Sequence, residues 1–185
     1  MELRLAALCC IGFSGFLRYN ELSSIKLLDL CFEKDCLKIL VKKSKTDIYR
    51  KGNVVYIART FTKYCPVFLL ERYIDAGQLS LSSNLPVFRS MIKTKRGYAL
   101  RKQSLSYTRC REIFMQGLES LGYDPKEYGL HSLRSGGITT AVASGKNISE
   151  RLLKLHGRWK SDIAKDMYVL ETHSNRLKVS RSLHL

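Results

Sequence analysis

The chain has 185 residues, 45% of them hydrophobic and 26% charged, with 12 glycines and 3 prolines. That length serves one hydrophobic core and excludes two large domains, and that composition excludes wholesale disorder. Its 32 Lys and Arg against 16 Asp and Glu leave a formal charge of +16, which attracts polyanions, nucleic acid before an anionic membrane surface.

Residues 5–17 (LAALCCIGFSGFL) are uncharged, but Glu2 precedes them and Arg18 and Glu21 follow. The run falls short of the about 20 residues that a bilayer-spanning helix needs, and it lacks a basic leader, so it reads as a core helix over about 2–14. After Gly15, the three- and four-residue steps of Leu17, Leu22, Ile25 and Leu28 predict a short helix over about 19–26. Residues 27–33, 36–43 and 54–58 read as three antiparallel strands, the last two joined by a basic link punctuated by Gly52. A helix is expected from Pro66 to a stop at Gly77, and another from a Ser104 cap to Gly122. Helices over 131–143, about 149–156 and about 161–170 complete the chain, which ends in a tail. The fold class is mainly α (α+β), helices around a small three-stranded antiparallel sheet near the N-terminal side. The cysteines Cys9, Cys10, Cys31, Cys36, Cys65 and Cys110 form no C-x-x-C pair and sit in apolar runs, so they read as buried thiols of a reducing compartment with no structural zinc.

Between Ala76 and Arg111 there is no acidic residue but there are eight basic ones: Arg89, Lys93, Lys95, Arg96, Arg101, Lys102, Arg109 and Arg111. A second cluster, Lys42, Lys43, Lys45, Arg50 and Lys51, fills the strand link. With Phe88, Tyr98 and Tyr107 interleaved, the two favour a groove that tracks phosphates over a merely solvated face.

Two arginines stand in patterns with chemical meaning. Arg18 lies in GFLRYNEL, and Arg134 lies in HSLRSGG one helical turn after His131. A guanidinium is planar, permanently charged and forks onto two phosphate oxygens, so a converging pair would clamp a phosphodiester gaining negative charge. In GRWKSDIAKDMYVLE the single tryptophan, Trp159, precedes Tyr168 by nine residues. Taken singly, Tyr168 reads as a packed core tyrosine.

Together these pieces resemble the tyrosine recombinase (phage integrase) family, in which an R-x-x-E-L segment, a hairpin lysine, an H-x-x-R segment and a closing G-H/W…Y segment occur in this order. The resemblance covers about residues 5–170 and implies DNA strand cleavage and rejoining through a 3′-phosphotyrosyl link. It makes Arg18 and Arg134 the phosphate clamp, Glu21 the acid that orients Arg18, Lys45 the general acid for the leaving 5′-oxygen, and Tyr168 the nucleophile. His131 would assist proton transfer and phosphate binding. Trp159 fills the position of the third motif, although Arg158 intervenes between it and Gly157, and His156 competes for that role. No metal or other cofactor is implied.

The family also carries an N-terminal core-binding domain that is expected to be missing here. The expected division is a catalytic domain over 1–171 and a tail over 172–185 that docks on a neighbouring protomer. Double-stranded DNA is the expected partner and no membrane, with a monomer in solution and a tetramer on paired DNA sites. The expected location is intracellular: nuclear in a eukaryotic host, cytoplasmic in a prokaryotic one. The competing readings are a type IB topoisomerase-like activity, a domesticated non-catalytic DNA-binding module of the same fold, and a basic RNA-binding module.

Overall fold

In the computed structural model, which describes residues 2–42, 52–95, 97–144 and 148–159, the apolar run at the start of the chain forms α1 (Glu2–Ser14). Ala7, Leu8 and Ile11 recur on one face at helical spacing and enter the core. A break at Gly15 and Phe16 leads into α2 (Tyr19–Ser24), where the Glu21 carboxylate accepts the Arg18 backbone N–H at 2.9 Å and so satisfies an amide at the helix start.

The expected first strand opens instead as a 3₁₀ turn over Leu27–Asp29, because the Asp29 carboxylate accepts the Lys26 backbone N–H at 3.0 Å and winds the chain before pairing begins. Strands β1 (Leu30–Phe32), β2 (Cys36–Val41) and β3 (Asn53–Ala58) then form an antiparallel sheet in that order. Its register sets Leu37 opposite Ile57 and Ile39 opposite Val55, so one face is apolar and buried, as period-2 alternation requires. Helix α3 (Pro66–Ala76) starts on a proline whose missing N–H costs nothing at that position. It packs on α1 through Val67, Leu70, Tyr73 and Ile74.

A two-stranded hairpin, β4 (Arg89–Thr94) and β5 (Gly97–Ser104), occupies most of the basic run and was not among the expected elements. Gly97, at φ 121°, supplies the backbone conformation that its turn needs. Ser104 ends β5 and donates its hydroxyl to the Ser23 carbonyl at 2.7 Å. The cap of α4 (Tyr107–Ser120) is therefore Ser106, whose hydroxyl accepts the Arg109 N–H at 3.2 Å. Helices α5 (His131–Ala143) and α6 (Glu150–Gly157) follow within a residue of expectation. The helix expected over 161–170 and the tail lie outside the described residues.

The main core joins α1, α3, the sheet, Phe88, Leu105 and α4. Phe88 belongs to that core at 2% exposure, and so does not line a nucleic-acid groove. A second, small cluster of Phe16, Ile138, Leu153 and Trp159 lies where α5 and α6 meet the end of α1. The motif arginines converge at that junction.

Candidate active site

Helix α1 ends without a basic residue in its last turn, so its terminal carbonyls carry the negative end of the helix dipole and need donors from elsewhere. Three side chains from distant motifs supply them. The His156 Nε2–H donates to the Ser14 carbonyl at 2.7 Å. Arg158 donates to the carbonyls of Gly15 and Phe16 at 3.1 and 2.9 Å. Arg134 donates through Nη1 to the Phe16 carbonyl and through Nη2 to that of Gly157 at 2.7 Å. Gly137 permits this approach of α5, since any Cβ there would strike the Phe13 carbonyl.

Arg134 is 2% exposed and its guanidinium lies 5.0 Å from the centre of the Trp159 ring, a cation–π contact in a desolvated setting. Gly157 underlies that ring, where a side chain would overlap it. Gly157 is accordingly the last residue of α6, and the left-handed position that usually takes glycine after a helix falls to Arg158, at φ 57° and ψ 38°. That backbone is costly for a side-chain-bearing residue, and it aims the Arg158 guanidinium back under α1.

Glu21 completes the network. One carboxylate oxygen accepts from Arg158 Nη2 at 2.9 Å and the other lies 3.5 Å from Arg18 Nη1. The side chains of Glu21 and Arg158 are each 2% exposed, whereas that of Arg18 is 32% exposed. One buried acid thus holds an inner and an outer arginine. The sequence marks Arg18, Glu21, Arg134, Trp159 and His156, and the structure brings them together at this junction. It adds Arg158, which in sequence looks like an interruption of the third motif. An arginine following Gly157 beside the only Trp was the one signal, and its acid partner lies 137 positions away.

Trp159 and His156 take different places. Trp159 stacks on Arg134, while His156 packs edge-on to Phe16 at 4.6 Å and is engaged by the Ser14 carbonyl. Burial first, then the nearby Arg158 and Arg134 charges, push the His156 pKa below its ordinary value. The unfolded chain protonates this imidazole near pH 6.5, whereas the folded chain resists. Its contribution to stability is complete above about pH 6.5 and falls as the pH drops below that value. Thermal melts between pH 8 and 5 should show this decline, and His156→Gln, which keeps a donor for Ser14, should flatten it. An unchanged pH dependence in the variant would place the titration elsewhere.

His131 sits exposed at the start of α5, one turn before the buried Arg134. Lys45 and Tyr168, with Lys43, Arg50 and Lys51, fall outside the described residues. Lys42 is described and pairs with Asp29 at 2.5 Å. On the hairpin, Lys93, Lys95, Arg101 and Lys102 are exposed, as are Tyr98 and, at the start of α4, Tyr107. Arg96 lies outside the described residues, and Arg89 is buried at the base of the hairpin. Among the described residues, one group of three potential metal ligands occurs, Glu33, Asp35 and Cys36 at the β1–β2 turn. There Lys38 Nζ already lies 2.5 Å from Glu33.

Comparison with known proteins bears on this junction. No protein-family model matches the chain. An integrase/recombinase XerD homolog of Selenomonas ruminantium is 30% identical over 141 residues, which are 76% of this chain and 40% of that protein. Sequence and fold together indicate a tyrosine recombinase catalytic domain. Solved recombinases share the fold across nearly its whole length. XerH site-specific recombinase bound to difH substrate superposes with a TM-score of 0.70 at 20% identity, over 99% of this chain and 47% of that one. XerA recombinase gives 0.64 at 16% identity, over 99% and 57%, and the Tn1549 transposon integrase in complex with circular intermediate DNA gives 0.62 at 14%, over 97% and 57%. The chain spans about 40% of the curated recombinase and about half of these structures.

Proposed function

We propose that this chain cuts and rejoins DNA strands in site-specific recombination, with Tyr168 as nucleophile. The observation that carries the reading is the junction itself. Arg18 and Glu21 from the first motif, Arg134 from the second and Trp159 from the third meet around the end of α1 although up to 141 residues separate them in sequence. The Tyr168 hydroxyl oxygen attacks the scissile phosphorus while the bond to the 5′-oxygen breaks, which leaves a 3′-phosphotyrosyl link and a free 5′-hydroxyl. Arg18 and Arg134 offset the charge on the pentacoordinate phosphorus, and their field, with His131, favours loss of the phenolic proton, whose ordinary pKa is near 10. Lys45 gives a proton to the departing oxygen. The phosphodiester energy stays in the covalent link, so no cofactor takes part. The tail over 172–185 docks on a neighbouring protomer in a tetramer on paired sites.

The direct test incubates the 185-residue chain with a pool of nicked duplexes and recovers SDS-stable adducts. Adduct formation supports the reading. Salt-sensitive DNA binding without any adduct returns the chain to a non-catalytic DNA-binding module. Lys45→Ala should be slow on ordinary DNA and recover on a substrate with sulfur at the 5′-bridging position, which departs without a proton. Equal defects on both substrates would assign Lys45 a binding role.

The exposed cations of the β4–β5 hairpin face solvent on a two-stranded arm and serve as backbone contacts. Affinity for random duplex should fall with salt by a log–log slope of about −0.9 per phosphate neutralised. Reversing Lys93, Lys95, Arg101 and Lys102 to Glu should flatten that slope without lowering the melting temperature. An unchanged slope would make the hairpin a solvated face and no more.

A further inference from the structure

Two other arginines are buried at the opposite end of α1, and no acid among the described residues accounts for them. Arg4 is 3% exposed and Arg89, at the start of β4, is 9% exposed. Arg4 Nη1 donates to the Arg89 backbone carbonyl at 2.7 Å. Among the described residues neither guanidinium has a carboxylate partner, and the Nε–H of each is buried without an acceptor. Arg158, by contrast, has Glu21, and Arg134 has two carbonyls and the Trp159 ring.

Burying two like charges in the lining of one cleft is costly unless something of opposite charge joins them. The place for it exists. Arg4 and Arg89 line a cleft of about 420 Å³ between α1, α3 and the β4–β5 hairpin, walled by Tyr73, Tyr98, Met91 and Leu100, with no acid among the described residues of its lining. Arg109 on α4 adds a field of the same sign at Arg4. Ten residues of helix separate Arg4 from Ser14, about 15 Å along the axis, so the cleft is distinct from the catalytic junction.

We propose that this cleft binds a small oxyanion, a phosphate either free or carried on a compact aromatic or apolar body, through the guanidiniums of Arg4 and Arg89. Two planar forks match the oxygens of a phosphate group, and the tyrosine and aliphatic walls favour an organic body over the free ion. The site is independent of the recombination chemistry, and neither its occupation nor its loss needs Tyr168.

Calorimetric titration of the 185-residue chain at constant ionic strength, with inorganic phosphate in one arm and phenyl phosphate in the other, tests the proposal. Saturable binding at one site is expected, with phenyl phosphate the tighter ligand if the walls take part and equal affinities if the free ion is the ligand. Arg89→Met, which keeps the aliphatic stem, should weaken it by about tenfold or more. Ala99→Trp fills the cleft from an exposed strand position and leaves both arginines in the sequence, so it should abolish binding even where Arg89→Met fails to fold. Lys126→Gln, on a remote exposed turn, removes one charge and should change nothing. Absence of saturable binding of either probe, survival of binding in Ala99→Trp, or an equal loss in Lys126→Gln would overturn the proposal.

Discussion

Tyr168→Phe should bind duplex DNA as the unaltered chain does and form no covalent adduct at all. Phenylalanine keeps the ring and its packing and removes only the hydroxyl oxygen, the atom that would bond to phosphorus. Arginine clamps, a general acid and correct positioning accelerate attack by a nucleophile but cannot replace one, so the effect is complete loss of adduct. The proposed role starts from Trp159, whose ring lies 5.0 Å from the Arg134 guanidinium. Nine residues on, a tether of about 14 Å as helix or at most about 30 Å extended would be long enough for the Tyr168 hydroxyl to meet a phosphate at the proposed Arg18 and Arg134 clamp. Binding and SDS-stable adduct are scored in parallel on one nicked substrate. A persistent adduct in the variant would remove Tyr168 from the role, and parallel loss of binding would make it a packing residue.

How much of this was legible in the sequence depends on whether the determining contacts are local. Helix α1, α3 and α5 were, because apolar spacing, Pro66 and the flanking glycines act within a few residues. The β4–β5 hairpin was not. Its described residues from Ile92 to Gln103 are nearly all exposed on both faces, so no alternation separates an inside from an outside, and the charge run hides the strand pattern. Gly97 was its one local mark. Arg4 was equally hidden, an arginine in the first turn of an apolar helix that reads as a solvent anchor until the hairpin is folded over it. In the site, the motif residues were visible from their order along the chain. The role of Arg158 was not, because it depends on a left-handed backbone set by the Trp159 ring against Gly157 and on an acid in another motif.

Removing either member of the Glu21–Arg158 pair should cost about 3–5 kcal/mol of folding stability, the range for uncompensated buried charge. Arg158→Met leaves the Glu21 carboxylate with Arg18 at 3.5 Å, and it withdraws the donors that serve the carbonyls of Gly15 and Phe16. Glu21→Met leaves the Arg158 cation at 2% exposure with carbonyls alone. A domain of this kind has roughly 5–15 kcal/mol in all, so each single variant should unfold at markedly lower urea. The double variant Glu21→Met with Arg158→Met removes both charges and fills the space with apolar atoms. It should be more stable than the sum of the single losses predicts, by about 1–3 kcal/mol. Restored stability should not restore chemistry. Arg18 stands 32% exposed beside Glu21, and without that carboxylate its guanidinium loses the partner that would fix its bearing in the proposed phosphate clamp. Urea melts of the four chains give the coupling, and adduct yield on the nicked substrate gives the function. Additive losses would show that Glu21 and Arg158 act separately, and a fully active double variant would show that Arg18 needs neither of them for its place in the clamp.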